Sequence, residues 1–277
     1  MIIVILEGGL GNQLFQYFAG LAEAKKNGAS VLFNPYRLTR RQSKRKFELL
    51  KVFPDVPILP IPFQRILQHK GLLSFLNNYF PSFIQTDKSS FSIRKNWALR
   101  TGYFAGFNWV KNIKDLLPKP VQLGQPSASF NHWYKKIHSE VSVSIHIRRG
   151  DYLTMPEFGI LNQTYYRDAI ELINSRIENA VYFIFSDDPE WVRSQDLFSD
   201  HRFQIIQDPD LDDLESFLIM ANCKHHIIAN STFSWCAAYL QDDITKLVIH
   251  PLRISREQFY PTDYFPPHWL PLENDFS

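Results

Sequence analysis

The residues best suited to a functional site are two adjacent arginines. They lie in the stretch His146-Ile147-Arg148-Arg149-Gly150-Asp151-Tyr152. The β-branched run at 141–147 predicts a buried strand that ends at these arginines. A guanidinium group binds phosphate oxygens in pairs and keeps its charge at any working pH. The pattern therefore favours a site for a multiply charged anion; the alternative is an ion-pair network that caps a sheet.

Three further polar segments follow apolar runs in the second half of the chain. They are Ser186-Asp187-Asp188, Gln207-Asp208-Pro209-Asp210 and Asn230-Ser231-Thr232-Phe233-Ser234. The apolar runs alternate with helical patterns, which predicts a parallel sheet with right-handed crossovers. Ligands of such sheets bind at the carboxyl ends of the strands. We therefore expect the four polar segments to share one site.

The elements that must position this site can be assigned from periodicity. The predicted strands cover residues 141–147, 181–185, 203–206, 226–229 and 246–250, and the main predicted helices cover residues 164–177, 214–223 and about 232–240.

The hydroxyl groups and the acids near these strand ends need different partners. Ser231, Thr232 and Ser234 begin a predicted helix, where free N–H groups and hydroxyls suit phosphate. A carboxylate does not bind phosphate directly. Two roles stay open for the acids: coordination of a divalent metal that bridges to phosphate, or hydrogen bonds to ribose and to a guanine edge. The acids in question are Asp187, Asp188, Asp212, Asp213 and Glu215. The residues thus predict a nucleotide-diphosphate site without choosing the nucleotide, and His146 is either a ligand contact or a structural histidine.

The first half of the chain begins with a βαβ pattern. Residues 2–6 predict a buried strand, residues 8–12 a glycine loop that includes Gly11 and Asn12, and residues 13–26 a helix. Such a loop can hold a phosphate or a sugar against the backbone. The run at 37–46, RLTRRQSKRK, predicts a solvated surface loop, and its functional alternative is contact with anionic lipid head groups or a diphosphate-linked acceptor.

Composition limits the class of protein. The chain has 277 residues, enough for two domains, and a net charge of +2 argues against general nucleic-acid binding. Cys223 and Cys236 show no metal-binding spacing and predict a reducing compartment. The segment MIIVILEGGLGNQ has no basic n-region, so we expect neither a signal peptide nor an anchor and assign the protein to the cytoplasm. We place the domain boundary at residues 118–125, with domains 1–125 and 126–277.

Taken together, the motifs resemble a known family. GGLGNQLFQYFAG, HIRRGDY, FSDD and CKHHIIANSTFSW are similar, in content and in order, to the signature blocks of the bacterial α-1,2-fucosyltransferases of glycosyltransferase family 11. The resemblance implies an α/β, GT-B-like fold of two Rossmann-type lobes with parallel sheets. The carboxyl-terminal lobe would bind GDP-fucose, and the amino-terminal lobe would face the acceptor. It implies inverting, metal-independent transfer of L-fucose to the 2-hydroxyl of a terminal galactose, in O-antigen or other surface-polysaccharide synthesis.

The resemblance also implies residue roles. Arg148 would contact the donor β-phosphate, with Arg149 as its partner or as a structural ion pair. Asn12, next to Gly11, would approach the diphosphate and the acceptor. The other donor-site residues implied are His146, Asp187, Asp188, Asn230, Ser231, Thr232 and Ser234. For the base that deprotonates the acceptor, Asp151 and Glu7 are the candidates by position.

The partners implied are GDP-fucose and a galactose-terminated oligosaccharide that can be lipid-linked, without nucleic acid, together with a peripheral contact at the inner membrane. The alternative enzyme is another GDP-sugar transferase of the α-1,6- or O-fucosyltransferase type. The alternative outside enzymes is a non-catalytic nucleotide- or glycan-binding module.

Overall fold

The computed structural model of the protein describes residues 1–67, 75, 78, 84–86, 98–111, 113, 126–155, 158–241 and 243–277. The chain folds as two compact units, Met1–Gln122 and Leu123–Ser277. The segment 118–125, in which the sequence predicted the boundary, lies outside the described residues apart from this division.

The first unit contains a four-stranded parallel sheet in the order β2-β1-β4-β3. Its strands are β1 (Ile2–Ile5), β2 (Val31–Asn34), β3 (Ile84–Thr86) and β4 (Ala98–Thr101). Its described helices are α1 (Leu10–Asn27), α2 (Tyr36–Thr39), α3 (Leu49–Val52), α4 (Ile61–Ile66) and α5 (Phe107–Val110). β1 is buried at all four positions, as expected for a central strand covered on both faces.

Helix α1 begins earlier than the sequence predicted. Its first residue is Leu10, not Gln13, so Gly11 and Asn12 lie in the first helical turn and not in the preceding loop. Gly9 takes the N-cap position in extended conformation, and its carbonyl accepts the first helical bond from the Gln13 N–H at 3.0 Å. A glycine is tolerated at an N-cap, so the short Gly-Leu-Gly pattern starts the helix where a long loop was expected.

The second unit contains a six-stranded parallel sheet in the order β10-β9-β8-β5-β6-β7. Its strands are β5 (Val141–Ile147), β6 (Ala180–Ser186), β7 (Phe203–Ile205), β8 (His225–Ile227), β9 (Val248–Pro251) and β10 (Leu270–Leu272). Its helices are α6 (Ala128–Ser139), α7 (Gln163–Asn174), α8 (Pro189–Arg193), α9 (Asp213–Ala221) and α10 (Thr232–Leu240), with 3₁₀ turns at Asp151–Thr154 and Asp196–Phe198.

The predicted parallel α/β class, with two Rossmann-type units of the GT-B-like kind, is confirmed. All five predicted strands of the second half exist, with ends that shift by one or two residues. The edge strand β10 was not predicted, since the proline in Leu-Pro-Leu argues against a strand interior and is tolerated at an edge. Among the described residues, no helix combines the length and the hydropathy that a membrane crossing requires.

Candidate functional site

Three of the four polar segments meet because their strands are neighbours. β5 lies between β8 and β6, so Arg148 follows the centre of the sheet. Ile147 at the end of β5 is in register with Ser186, the residue before Asp187, and Ile145 is in register with Ile227 of β8. Parallel strands deliver their carboxyl ends to one edge, which brings HIRRGDY, SDD and ANSTFS together.

The Arg148 guanidinium is held by two carboxylates. Nη1 of Arg148 lies 2.9 Å from Oδ2 of Asp187, and Nη2 lies 2.5 Å from Oδ1 of Asp151. The guanidinium also lies over the Tyr152 ring, 5.6 Å from its centroid. The Arg148 side chain stays 26% exposed, so it is positioned and also open to solvent. These contacts use two of the five N–H donors of a guanidinium, and the others can serve an anion.

Arg149 points to different partners. Its Nε donates to Oδ2 of Asp188 at 3.0 Å, and its guanidinium stacks on Trp191 at 4.2 Å from the ring centroid. Only 14% of its side chain is exposed. Asp188 is also the N-cap of α8, where Oδ1 accepts from the Trp191 N–H. The sequence left two roles for Arg149, a partner of Arg148 at the donor phosphate or a structural ion pair. These contacts fit the structural ion pair. Trp191 was missed from the sequence, although its position three residues after an N-cap acid is the available signal.

Asp187 contacts both the Arg148 side chain and the backbone that follows β5. Its Oδ1 accepts the backbone N–H of Arg149 at 2.8 Å while Oδ2 contacts Arg148. Gly150 is what lets the carboxylate approach, because a Cβ built there would lie 2.5 Å from Oδ2 of Asp187. The motif therefore requires glycine at position 150 for close contact.

The charges at this strand end nearly cancel. Arg148 and Arg149 face Asp151, Asp187 and Asp188, which gives three acids to two cations. A phosphate group would therefore meet an arginine whose charge is already partly compensated. Charge alone does not make this an anion site; the accessible N–H donors and the adjacent helix α10 must contribute.

The N-terminus of helix α10 lies after β8, on the other side of β5 from β6. Ser231 is the N-cap of α10, and its Oγ accepts from the Phe233 N–H at 3.3 Å. Thr232 is the first residue of the helix, and Ser234 Oγ donates to the Ser231 carbonyl. The Tyr152 hydroxyl joins this side to the arginine segment by donating to the Asn230 carbonyl at 3.0 Å. Tyr152, which was not among the predicted site residues, thus connects two of the three polar segments.

Asn230 has a structural role. Its Nδ2 donates to the carbonyls of Gly159 and Ile254, at 2.7 and 3.0 Å, so it links two segments that are far apart in the sequence. The residue is 5% exposed. Because the side chain is buried and bonded to backbone carbonyls, we assign Asn230 a supporting role and not a ligand contact.

His146 is buried in β5, directly before the arginine segment. Burial, with the nearby Arg148 charge as a smaller cause, lowers the pKa of His146 to about 3. Its ring packs on Phe233, with 5.7 Å between centroids, and its Nδ1 has no hydrogen-bond partner among the described residues. The imidazole is therefore neutral at working pH and cannot supply positive charge to a phosphate.

The acids that follow β7 are mostly used for structure. Asp212 and Glu215 form a capping box at the start of α9, and the Glu215 carboxylate also accepts from the backbone N–H and the hydroxyl of Ser127. Hydrogen bonds, first from Ser129, hold the pKa of Asp208 below its usual value. Asp213 is exposed in the first turn of α9. No contact among the described residues joins this fourth segment to Arg148, because β7 lies at the far edge, one strand beyond β6.

In the first unit, the buried side chain of Gln13 holds the glycine loop. Gln13 is fully buried; its Nε2 donates to the carbonyls of Gly8 and Lys46, and its Oε1 accepts from two backbone N–H groups. Gly8 has φ +84°, and a Cβ there would lie 2.5 Å from Nδ2 of Asn12. Asn12 therefore folds against the loop. Glu7, one of the two candidate bases, is paired with Arg37.

Within the described part of the chain, no group of three His, Cys, Asp or Glu side chains is arranged to hold a metal ion. The acids at the strand ends are paired with arginines or cap helices.

Comparisons with known proteins agree with these features. The model of the family described as glycosyl transferase family 11 matches residues 87–273. The chain is 29% identical to an alpha-1,2-colitosyltransferase of Escherichia coli, covering 99% of both chains. It is 25% identical to a galactoside 2-alpha-L-fucosyltransferase of Caenorhabditis elegans, covering 98% of this chain and 79% of that protein.

The fold is also similar to a solved structure. The fucosyltransferase NodZ from Bradyrhizobium superposes with a TM-score of 0.51 and 12% identity, covering 86% of this chain and 92% of that chain. At this identity the likeness concerns the fold alone. The family match spans most of the chain, and it confirms the resemblance seen in the motifs: the protein belongs to glycosyl transferase family 11.

Proposed function

We propose that the protein is a galactoside α-1,2-fucosyltransferase that transfers L-fucose from GDP-fucose to the 2-hydroxyl of a terminal galactose. The observation that carries this proposal is the position of Arg148: it follows the central strand, remains partly exposed, and lies between the N-terminus of α10 and the carboxylates after β6. The family relatives named for galactoside fucosyl transfer and the family membership support the donor and acceptor class. A role in surface-polysaccharide synthesis, such as that of O-antigen, is part of the proposal.

In this proposal the reaction is a single displacement at the anomeric carbon with inversion. The acceptor hydroxyl forms the new C–O bond as the bond to the GDP β-phosphate breaks, through an oxocarbenium-like transition state. Negative charge grows on the departing diphosphate. Arg148 donors held in place by Asp187, with the N–H groups at the start of α10, stabilise that charge without having to reorganise. The proposed reaction uses no metal ion: the N–H donors of Arg148 and of the start of α10 take the role of stabilising the leaving group.

The acceptor proton leaves to a base that belongs to the protein or to solvent. Glu7 is paired with Arg37 and Asp151 with Arg148, so each candidate base already has an arginine partner. Asp151 stays the first candidate because it lies at the strand end with Arg148. Asn12, in the first turn of α1, is proposed to contact the acceptor side of the substrate. Asp213 is the acid proposed to read guanine, since Asp212 and Glu215 are used in capping.

A second candidate is transfer of colitose from a GDP-linked donor. The observation in its favour is the similarity to an alpha-1,2-colitosyltransferase over nearly the full length of both chains. Colitose is L-fucose without the hydroxyl at C3, so the contact that the protein makes at C3 of the donor sugar distinguishes fucosyl from colitosyl transfer. A site that hydrogen-bonds this hydroxyl rejects the deoxy sugar strongly, whereas an apolar site does not.

The test is incubation of the purified protein with GDP-fucose, GDP-colitose or UDP-galactose and a simple β-galactoside, with the product linkage determined by NMR. We expect an α-1,2-linked fucosyl product that also forms in EDTA. A product only from GDP-colitose would replace the donor in the proposal. GDP binding without any transfer would favour a non-catalytic module, and another linkage would favour a different GDP-sugar transferase.

A further inference from the structure

Helix α4 shows its apolar side chains to solvent. Across Ile61–Ile66, the buried residue is Gln64, at 7% exposure, whereas Ile61, Phe63 and Ile66 are 78%, 56% and 51% exposed. A surface helix ordinarily buries its apolar side chains and exposes the polar ones. Exposed apolar side chains that cluster on a protein surface often mark an interaction site.

The orientation of α4 is fixed by polar contacts. Gln64 Nε2 donates to the Leu59 carbonyl at 2.6 Å, and the Gln64 carbonyl accepts from Nδ2 of Asn34 at 3.1 Å. Asn34 is the last residue of β2 and is fully buried. The buried amides therefore hold the helix on the carboxyl edge of the first sheet with its apolar residues facing outward.

The same region has a large excess of positive over negative side chains. Residues 37–67 contain eight Lys and Arg and two Asp and Glu, a net charge of +6, whereas the whole chain has +2. The rest of the molecule is therefore net acidic. Exposed cations are concentrated in the segment 40–46, at Arg40, Arg41, Lys44, Arg45 and Lys46.

The cationic segment and α4 leave the sheet at the same edge. Helix α2 follows β2 directly and leads into residues 40–46. The segment ends at Lys46, whose carbonyl accepts from Gln13 Nε2, and the same amide group donates to the Gly8 carbonyl after β1. Because α4 is tied to Asn34, both features start from the carboxyl ends of β1 and β2.

We propose that α4 and the segment 40–46 form a docking surface for an anionic lipid bilayer. Ile61, Phe63 and Ile66 enter the interfacial layer, and the arginines and lysines lie at the level of the phosphates. This inference goes beyond the proposed function and needs neither donor nor acceptor. A second copy of the chain fits the surface less well, because a two-fold contact would bring two +6 regions together.

The experiment is flotation of the full-length protein with vesicles of phosphatidylcholine alone or with 30% phosphatidylglycerol, without nucleotide. We expect partition only into the anionic vesicles and release at high salt. About fivefold weaker partition is expected for each cation removed, so Arg40→Ala/Arg41→Ala should bind about 25-fold more weakly. Ile61→Ser/Phe63→Ser should reduce binding at any salt concentration.

Matched controls come from the second unit. Arg167→Ala/Arg176→Ala removes two exposed cations, one in α7 and one just after its end, and Ile244→Ser removes an apolar side chain that is 84% exposed. Both should partition like the wild type, and all variants should keep the wild-type circular dichroism and Tm. Absence of flotation, or equal binding to both vesicle types, would overturn the proposal. A concentration-dependent dimer that Ile61→Ser/Phe63→Ser dissociates would assign the surface to a second copy instead.

Discussion

Nη1 of Arg148 lies 2.9 Å from Oδ2 of Asp187, across the two neighbouring strands that end at these residues. The other oxygen of the same carboxylate accepts the Arg149 N–H at 2.8 Å. One acid therefore fixes both the guanidinium and the backbone that carries it. In the reaction proposed above, this contact would hold the arginine in place for the negative charge that develops on GDP as the bond between fucose and the β-phosphate breaks.

Arg148→Ala should lower kcat for fucosyl transfer by about 10²-fold or more, since it removes donors aimed at the leaving group. The fold should persist because the side chain is partly exposed. Initial rates and a thermal melt check both statements. Arg193→Ala, which breaks an exposed pair with Glu190, is the control and should keep full activity. Activity of Arg148→Ala within a few-fold of the wild type would reject the assignment.

Asp151→Asn separates two roles. If Asp151 only balances the charge of Arg148, the amide should tighten donor binding, because one of three acids facing two arginines is lost. The donor KM should then fall while kcat changes little. If Asp151 is also the base, kcat should fall about 10²-fold or more, whatever the donor KM does. We expect the second pattern, and steady-state kinetics with varied GDP-fucose decide between them.

Gly150→Ala should weaken donor binding through Asp187. The added Cβ would lie 2.5 Å from Oδ2 and 3.0 Å from Cγ of that residue, so the carboxylate that contacts Arg148 must shift. We expect the donor KM to rise about tenfold, a loss of about 1.4 kcal/mol. In a thermal melt, Gly9→Ala is the comparison, because a Cβ there meets nothing within 4 Å. An unchanged KM would show that the Asp187 contact does not position Arg148.

Acid should destabilise the protein through its buried histidines. Burial lowers the pKa of His250 from 6.5 to about 4 and that of His146 to about 3. Between these values and 6.5 the unfolded chain binds more protons than the folded one. The stability is therefore complete above pH 6.5 and is lost as the pH falls, by about 1.4 kcal/mol per pH unit for each histidine.

Urea unfolding at pH 7.5 and 4.5 measures this effect, with His250→Gln as the comparison. The variant lacks one proton-binding group, so its deficit relative to the wild type should shrink at the lower pH. A deficit that stays constant would mean that His250 is not neutral in the folded protein.

The sequence determined the parallel α/β class and most strands of the second half, because apolar runs between helical patterns leave few alternatives. It also indicated that HIRRGDY, SDD and ANSTFS would meet, since parallel strands place their carboxyl ends at one edge. The family resemblance rested on the same segments. The early start of α1 and the edge strand β10 were missed, because a glycine N-cap and a Leu-Pro-Leu strand carry weak local signals.

Only the tertiary structure decided which partner each charged group takes. Arg148 and Arg149 are adjacent in sequence, yet one contacts Asp187 and Asp151 and the other Asp188 and Trp191. Strand order placed the segment after β7 at the far edge, away from Arg148. The outward-facing apolar residues of α4 also depend on a contact between Asn34 and Gln64, thirty residues apart. Such pairings arise from the register and order of strands, which local sequence patterns do not encode.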